Sequence, residues 1–336
     1  MEQIEFVKSG LMTSRIGLGT WAMGGWMWGG TDEAQSIATI HSAIDRGVTL
    51  IDTAPVYGFG RSEEIVGKAL EGSLRHKVTI ATKVGLAWKD DAVYRDSRPA
   101  RIRQEIEDSL RRLRTDVIDL YQVHWPDFET PIAETARTME DLRREGKIRA
   151  IGVSNFSPTQ MRMFSADAQL DAVQPPYNLF ERAIEADVLP YAVGAGLAIL
   201  SYGALCRGLL SGRMTWETKF DGDDLRKIDP KFQGKRFRQY LAAVGELKEL
   251  ARERFGKSVL ALAVRWVLDQ GPTIALWGAR HPGQLDPISD VEGWHIDAAT
   301  KHDIDAILER CIVDPVSPAF MAPPVIRPNK QKRLAA

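Results

Sequence analysis

An eight-stranded (β/α)8 TIM barrel, with an N-terminal β-hairpin and loop insertions around its mouth, is the fold class this sequence predicts. Three observations predict it. Short apolar runs alternate with stretches of helical spacing almost throughout, and eight strand–helix pairs can be counted. Such alternation calls for right-handed crossovers and a mainly parallel sheet. At 336 residues the chain exceeds the roughly 250 of a typical barrel, which leaves room for insertions. Several of the apolar runs also stop on a side chain with chemistry to offer, as strands do at the functional rim of a barrel.

The elements follow in order. Ile4 to Val7 and Met12 to Ile16, joined through Gly10, read as a hairpin, and Ile16-Gly17-Leu18-Gly19 as the first barrel strand. A helix from Asp32 to Asp45 carries Ile37, Ile40 and Ile44 at helical spacing. Val48-Thr49-Leu50-Ile51 ends in Asp52 and precedes a helix from Ser62 to Leu70, with Ser62 as its cap. Val78 to Thr82 ends in Lys83, ahead of a helix from about Pro99 to Leu113. Val117 to Val123 ends in His124, ahead of a helix from Pro131 to Arg144 that Gly146 closes. Ile148 to Val153 leads to a helix opening at Ser157-Pro158, where proline suits the first turn. Ala172-Val173-Gln174, Leu197 to Ser201 and Thr273 to Leu276 complete the strands, with a short helix at Ala186 to Val193. The insertion from Arg207 to Gln239, rich in Gly, Asp, Lys and Arg, is expected to be a mobile loop over the mouth. No low-complexity linker divides the chain, so a single domain over residues 1–336 is expected, with a proline-rich tail at 314–336.

Composition narrows the function. A hydrophobic content of 44% and a charged content of 26% are those of a globular protein, and the net charge of -1 offers no basic excess for nucleic acid. No apolar run is long enough to span a bilayer, and Met1-Glu2-Gln3-Ile4-Glu5 does not open a signal peptide, so a cytoplasmic location is expected. Cys206 and Cys311 form no metal-ligand pattern, and no metal is expected.

Asp52, Tyr57, Lys83 and His124 are the catalytic candidates. Three end strands, and Tyr57 lies in the turn Ala54-Pro55-Val56-Tyr57-Gly58. Each has a plain alternative as strand stop, aromatic plug or solvated surface residue. Together, at strand ends facing one mouth, they can donate a proton to a carbonyl oxygen. A phenol has a pKa near ~10, a neighbouring ammonium lowers it, a carboxylate holds that ammonium, and an imidazole orients the substrate oxygen. Gly17-Leu18-Gly19-Thr20-Trp21-Ala22 fits a loose dinucleotide-binding pattern, but Gly24, Gly25, Gly29 and Gly30 argue against the helix such a loop must enter. Trp21, Trp26, Trp28, Trp88 and Trp125 fall in loops after strands and predict an aromatic-walled substrate pocket.

Gly19-Thr20-Trp21, Asp52-Thr53-Ala54-Pro55-Val56-Tyr57-Gly58, Ala81-Thr82-Lys83, His124-Trp125-Pro126-Asp127 and Gly146 to Phe156 resemble the aldo-keto reductases, from about Ile4 to Leu308. The resemblance implies carbonyl reduction with NADP(H) preferred and NAD(H) possible. It makes Tyr57 the proton donor, Lys83 its pKa modulator, Asp52 the lysine's partner and His124 the orienting group. It also implies cofactor contacts: Gly19, Thr20 and Trp21 at the first strand's end, Ser154, Asn155 and Gln174 at the nicotinamide carboxamide, and Tyr202 stacked on the ring. Leu205 and Gly208 fall around the pyrophosphate, and Gly278, Arg280 and Gln284 at the adenosine end, where Arg280 suits a 2′-phosphate. This chain departs from the family at Tyr202-Gly203-Ala204-Leu205-Cys206, which lacks the usual serine, at Ile288, where asparagine is common, and at Trp277, where proline is frequent. Aldehydes, short sugars or hydroxyaldehydes are the expected substrates. A Schiff-base lyase using Lys83 and a cofactor-sensing regulatory subunit remain alternatives.

Overall fold

The computed structural model describes residues 1–324. Residues 325–336 of the 314–336 tail lie outside the described residues. Strands β1 (Gln3–Phe6) and β2 (Leu11–Ser14) pair antiparallel, and Phe6 seals the bottom of the barrel interior. The barrel strands are β3 (Ile16–Gly19), β4 (Leu50–Asp52), β5 (Thr79–Val84), β8 (Ile118–Val123), β9 (Ile148–Ser154), β10 (Ala172–Gln174), β11 (Ala198–Ser201) and β12 (Thr273–Gly278). They pair in parallel in that order, and β12 closes on β3 with Ala275 opposite Ile16 and Gly278 opposite Gly19. The predicted barrel and hairpin are therefore both present.

Side chains fill two layers. Leu50, Ala81, Leu120, Ala150, Leu200 and Ile274 meet inside the barrel. Ile51, Ile80, Tyr121, Ile151, Val153 and Ile199 point outward onto the helices, as alternation along each strand requires. Those helices are α1 (Glu33–Asp45), α2 (Arg61–Ala69), α3 (Pro99–Leu113), α4 (Ile132–Arg144), α5 (Pro158–Ser165), α6 (Val188–Gly194), α7 (Gly234–Phe255), α8 (Val259–Leu268) and α9 (Ala298–Cys311). The Asp32 carboxylate accepts from the Gln35 N–H to start α1, and Ser157 and Gln160 form a reciprocal cap on α5.

Two expectations need correction, and one hairpin is additional. Ser62 does not cap α2, because the helix already starts at Arg61 after Gly60. The Ser62 hydroxyl is buried instead against Thr20 and Thr53, tying the ends of β3 and β4 together. The stretch 207–239 is a loop only as far as Gln233: it makes short 3-10 turns at Cys206–Ser211, Leu225–Lys227 and Pro230–Phe232, and its last residues already belong to α7, which starts at Gly234. Buried Leu225, Phe232 and Phe237 give that segment an apolar underside. Composition alone hid this, because polar residues dominate between the buried ones. A second hairpin, β6 (Leu86–Lys89) with β7 (Ala92–Arg95), rises beside the mouth and was not anticipated.

Candidate active site

Asp52, Tyr57, Lys83 and His124 meet at the C-terminal rim. Asp52 ends β4, Lys83 stands one residue before the end of β5, and His124 follows β8 directly. The turn carrying Tyr57 lies so close to the loop after β3 that a side-chain carbon built on Gly58 would sit 2.1 Å from the Gly24 carbonyl oxygen. Gly58 has φ +66°, so glycine answers both the space and the conformation there. Lys83 Nζ donates to Asp52 Oδ2 at 2.8 Å, to the Thr53 carbonyl at 2.9 Å and to the Tyr57 hydroxyl at 3.2 Å. The Tyr57 ring stacks on Trp21 at 5.9 Å and meets the His124 imidazole edge-on at 5.8 Å.

A second polar chain adjoins the first. Gln174 Nε2 donates to Asp52 Oδ1 at 2.8 Å, and Ser154 Oγ donates to the Gln174 carbonyl at 2.7 Å. Asn155 Nδ2 donates to the His124 carbonyl at 3.0 Å, and the Tyr202 hydroxyl donates to Asn155 Oδ1 at 3.0 Å. Asn155 sits at φ +61°, a left-handed conformation that asparagine tolerates better than most side chains.

Burial dominates the electrostatics. It holds the Tyr57 phenol well above its ordinary pKa, and the Asp52 charge adds to the effect. Burial lowers Lys83, while the charge and hydrogen bond of Asp52 work to keep it protonated. His124 is pushed well below its usual value by burial and then by the Lys83 charge, so its imidazole is neutral near pH 7. Burial and the Asp52 carboxylate thus both act against the phenolate, opposite in direction to the expected influence of Lys83.

Two cavities share Tyr57 and Trp21. One, of about 400 Å³, is walled by Trp21, Trp26, Trp125, Tyr57, His124 and Phe320, with Ser154, Asn155 and Gln174 at its edge. The other, of about 260 Å³, is a trough from Asp52 and Tyr57 past Gly19, Tyr202, Leu205 and Gly208 to Gly278, Arg280 and Gln284. Trp28 lines the trough rather than the aromatic pocket. Trp88 lines neither cavity and packs against Phe59 at 5.5 Å and Arg101 at 5.7 Å. Thr20 is fully buried, its hydroxyl committed to the Asp52 carbonyl at 3.0 Å.

A family model described as the aldo/keto reductase family matches residues 15–309. The chain belongs to the aldo-keto reductases. It is 60% identical to aldo-keto reductase YhdN of Bacillus subtilis over 96% of this chain and 98% of that relative. It is 37% identical to an NADH-specific methylglyoxal reductase of Escherichia coli, over 85% of this chain and 91% of the other. The structure resembles the glycerol dehydrogenase AKR11B4 of Gluconobacter oxydans, with TM-score 0.86, 57% identity, and coverage of 95% and 99%. It also resembles an aldo-keto reductase of Klebsiella pneumoniae in complex with NADPH, with TM-score 0.71, 28% identity, and coverage of 91% and 95%. The reductase is therefore an NAD(P)H-dependent oxidoreductase on a (β/α)8 barrel. No helix among the described residues is long and apolar enough to cross a membrane.

Sequence reasoning missed several wall residues of this reductase. Pro318 and Met321 reach the trough, and Phe320, Met321, Pro323 and Pro324 reach the aromatic pocket. The tail is anchored there by the Val316 N–H, which donates to the Tyr240 hydroxyl at 3.0 Å. Ile228 and Arg226 come from the insertion, and Leu86 and Val93 from the β6–β7 hairpin. Spacing gave no signal for the tail. For Arg226, the run Asp223-Asp224-Leu225-Arg226, one apolar residue among charges, was the available sign of a turn.

Proposed function

We propose that this reductase transfers hydride from NADPH to small aldehydes, aromatic ones and short hydroxyaldehydes included, with Tyr57 giving the proton to the carbonyl oxygen. The observation that carries the reading is the Tyr57 hydroxyl, half-buried, 3.2 Å from Lys83 Nζ and beside an apolar cavity. The nicotinamide, when bound, supplies the hydride. Tyr57 stays protonated because burial and Asp52 oppose its phenolate, so it is a proton donor at neutral pH. Lys83 fixes the hydroxyl and is itself fixed by Asp52 and the Thr53 carbonyl. Neutral His124 can give a hydrogen bond to the same carbonyl oxygen and so orient it. The charge pairing of Lys83 with Asp52 argues against a Schiff-base role, which needs a free amine.

The trough suits an extended dinucleotide. Arg207, Arg226 and Arg280 line it, which favours an anionic ligand, and a side-chain carbon at Gly278 would meet no atom of the described residues within 4 Å. The buried indole N–H groups of Trp21 and Trp28 have no partner among the described residues. Ser154, Asn155 and Gln174 would hold the carboxamide, Tyr202 the ring, Leu205 and Gly208 the pyrophosphate, and Gly278, Arg280 and Gln284 the adenosine end. Arg280 supports NADPH over NADH, because its fork can bind a 2′-phosphate. The Klebsiella complex with NADPH supports that preference, and the E. coli relative named NADH-specific supports NADH as the competing choice. The glycerol dehydrogenase neighbour supports short hydroxyaldehydes, since glycerol is the alcohol of glyceraldehyde, a three-carbon hydroxyaldehyde.

The test is turnover of an aldehyde panel with NADPH and NADH, in the wild type and in Tyr57→Phe. Tyr57→Phe should slow reduction about 10²–10⁴-fold while NADPH binding, read by tryptophan fluorescence, stays near wild type. Equal turnover in both proteins would remove Tyr57 from the chemistry.

A further inference from the structure

One arginine in the trough wall is held by a carboxylate in the manner a guanidinium holds phosphate. Arg226, on the turn at Leu225–Lys227, lines the trough with Gly208 and Arg280. Its guanidinium lies 4.4 Å from the Phe220 ring centre and 5.3 Å from that of Trp28. It grips both oxygens of Asp224, Nε to Oδ1 at 2.9 Å and Nη2 to Oδ2 at 2.6 Å. Among the described residues Nη1 has only the Arg207 carbonyl, at 3.4 Å, and a side-chain carbon built on Gly208 would lie 3.9 Å from it. Asp224 is buried, which disfavours its charge, yet the hydrogen bonds and charge of Arg226 and the charge of Arg280 leave its carboxyl below the ordinary range. One carboxylate thus sits in the field of two trough arginines.

Two further features separate this pair from a simple brace. Asp223, not Asp224, fastens the segment to the loop after β3, accepting the Met27 N–H at 2.7 Å and the Gly29 N–H at 2.9 Å. Asp224 also has a second partner, the Arg226 N–H at 3.0 Å, which it keeps if the guanidinium leaves. A bidentate carboxylate occupies the same pair of donors that a phosphate takes.

We propose that Arg226 is a phosphate ligand of the dinucleotide and that Asp224 is its built-in competitor, displaced when phosphate takes the guanidinium. This rests on the reading of the trough as the cofactor site. Two sources of phosphate fit: the bridging pyrophosphate, beside Gly208, and a 2′-phosphate, beside Arg280.

Calorimetric titration of the full chain with NADH and NADPH tests it, in the wild type, Arg226→Ala and Asp224→Asn. Arg226→Ala should weaken binding about ten- to a hundredfold. Equal loss for both cofactors identifies the bridging pyrophosphate, and loss confined to NADPH identifies the 2′-phosphate. Asp224→Asn should tighten binding, at least about threefold, because the competent guanidinium is then more often free. Unchanged affinity in Arg226→Ala overturns the proposal. So does Asp224→Asn weakening both cofactors as much as Arg226→Ala, since the pair would then only brace the fold. If Asp224→Asn proves unstable, inorganic pyrophosphate supplies a second measurement. It should raise the melting midpoint of the wild type and not that of Arg226→Ala, and an equal rise in both counts against Arg226. Absent aldehyde turnover with dinucleotide binding intact would defeat the catalytic reading and leave this test standing.

Discussion

Lys83→Met should cost both stability and rate, and a second substitution should restore only the first. Lys83 has no exposed side-chain surface, and its partner Asp52 is 4% exposed at 2.8 Å. Deleting one member of such a pair leaves an uncompensated buried charge, typically a loss of about 3–5 kcal/mol. Asp52 would keep the Gln174 hydrogen bond at 2.8 Å, which places the expected loss at the lower end, about 3 kcal/mol. Adding Asp52→Asn to Lys83→Met removes the orphaned charge, so the double variant should return to within about 1–2 kcal/mol of the wild type. Aldehyde reduction should stay about 10²–10⁴-fold slow in both, because neither retains the ammonium that fixes the Tyr57 hydroxyl. Urea unfolding at pH 7 gives the stabilities, and steady-state reduction gives the rates. The reasoning fails if Lys83→Met unfolds within about 1 kcal/mol of the wild type, or if the double variant regains activity along with stability.

Three further outcomes are expected. Reduction needs a protonated Tyr57 and a neutral His124; the first is held well above its ordinary pKa and the second well below, so kcat/KM should be flat from about pH 6 to 9. An ionisation of either group inside that window would contradict the burial argument. Arg280→Ala should weaken NADPH about ten- to a hundredfold and NADH only slightly, read by fluorescence titration; equal weakening would leave the 2′-phosphate assignment without support. Glu105, buried on α3 and bonded by Arg101, has its carboxyl pushed up to about 7, chiefly by burial. The native state then holds a proton that the unfolded chain releases near pH ~4.3, so this stabilisation is complete below that value and is lost as pH rises through about 7. Unfolding free energies at pH 5 and 8 should therefore converge in Glu105→Gln by up to about 3 kcal/mol relative to the wild type, and an unchanged difference would reject the assignment.

The parts legible in the sequence share one physical basis. Helix α3 at Pro99–Leu113 and the Ser157 cap of α5 are written in local residues: a proline at a first turn, a hydroxyl before a helix, apolar spacing of 3.6. The strand ends at Asp52 and Lys83 are legible for the same reason, since an apolar run stops where the chain leaves the barrel. What stayed hidden depends on distant partners. Ser62 reads as a cap by type and position, yet its hydroxyl serves Thr20 and Thr53. Trp88 reads as pocket wall by its place after β5, but β6 carries it away to Phe59 and Arg101. Phe320 lies outside every repeat of the barrel and still reaches the pocket, 5.2 Å from the Arg207 guanidinium and 5.3 Å from Lys231 Nζ.

The phenol's pKa is where local chemistry and tertiary burial disagree most. Read as a pair, Lys83 and Tyr57 predict an easier phenolate, because an ammonium at 3.2 Å favours negative charge. The fold adds two opposing influences that the pair does not reveal. Trp21 stacks on one face of the ring, and Asp52 puts a carboxylate on the same ammonium. With Asp52 at 2.8 Å from Lys83 Nζ, closer than the phenol oxygen, much of the lysine's field is already matched. What remains to Lys83 is geometric: three donors spent on three acceptors hold the Tyr57 hydroxyl in place beside the two cavities that Tyr57 lines. A donor held protonated and in place serves carbonyl reduction directly. Alcohol oxidation must instead draw on the scarce phenolate, so the same burial that readies one direction slows the other.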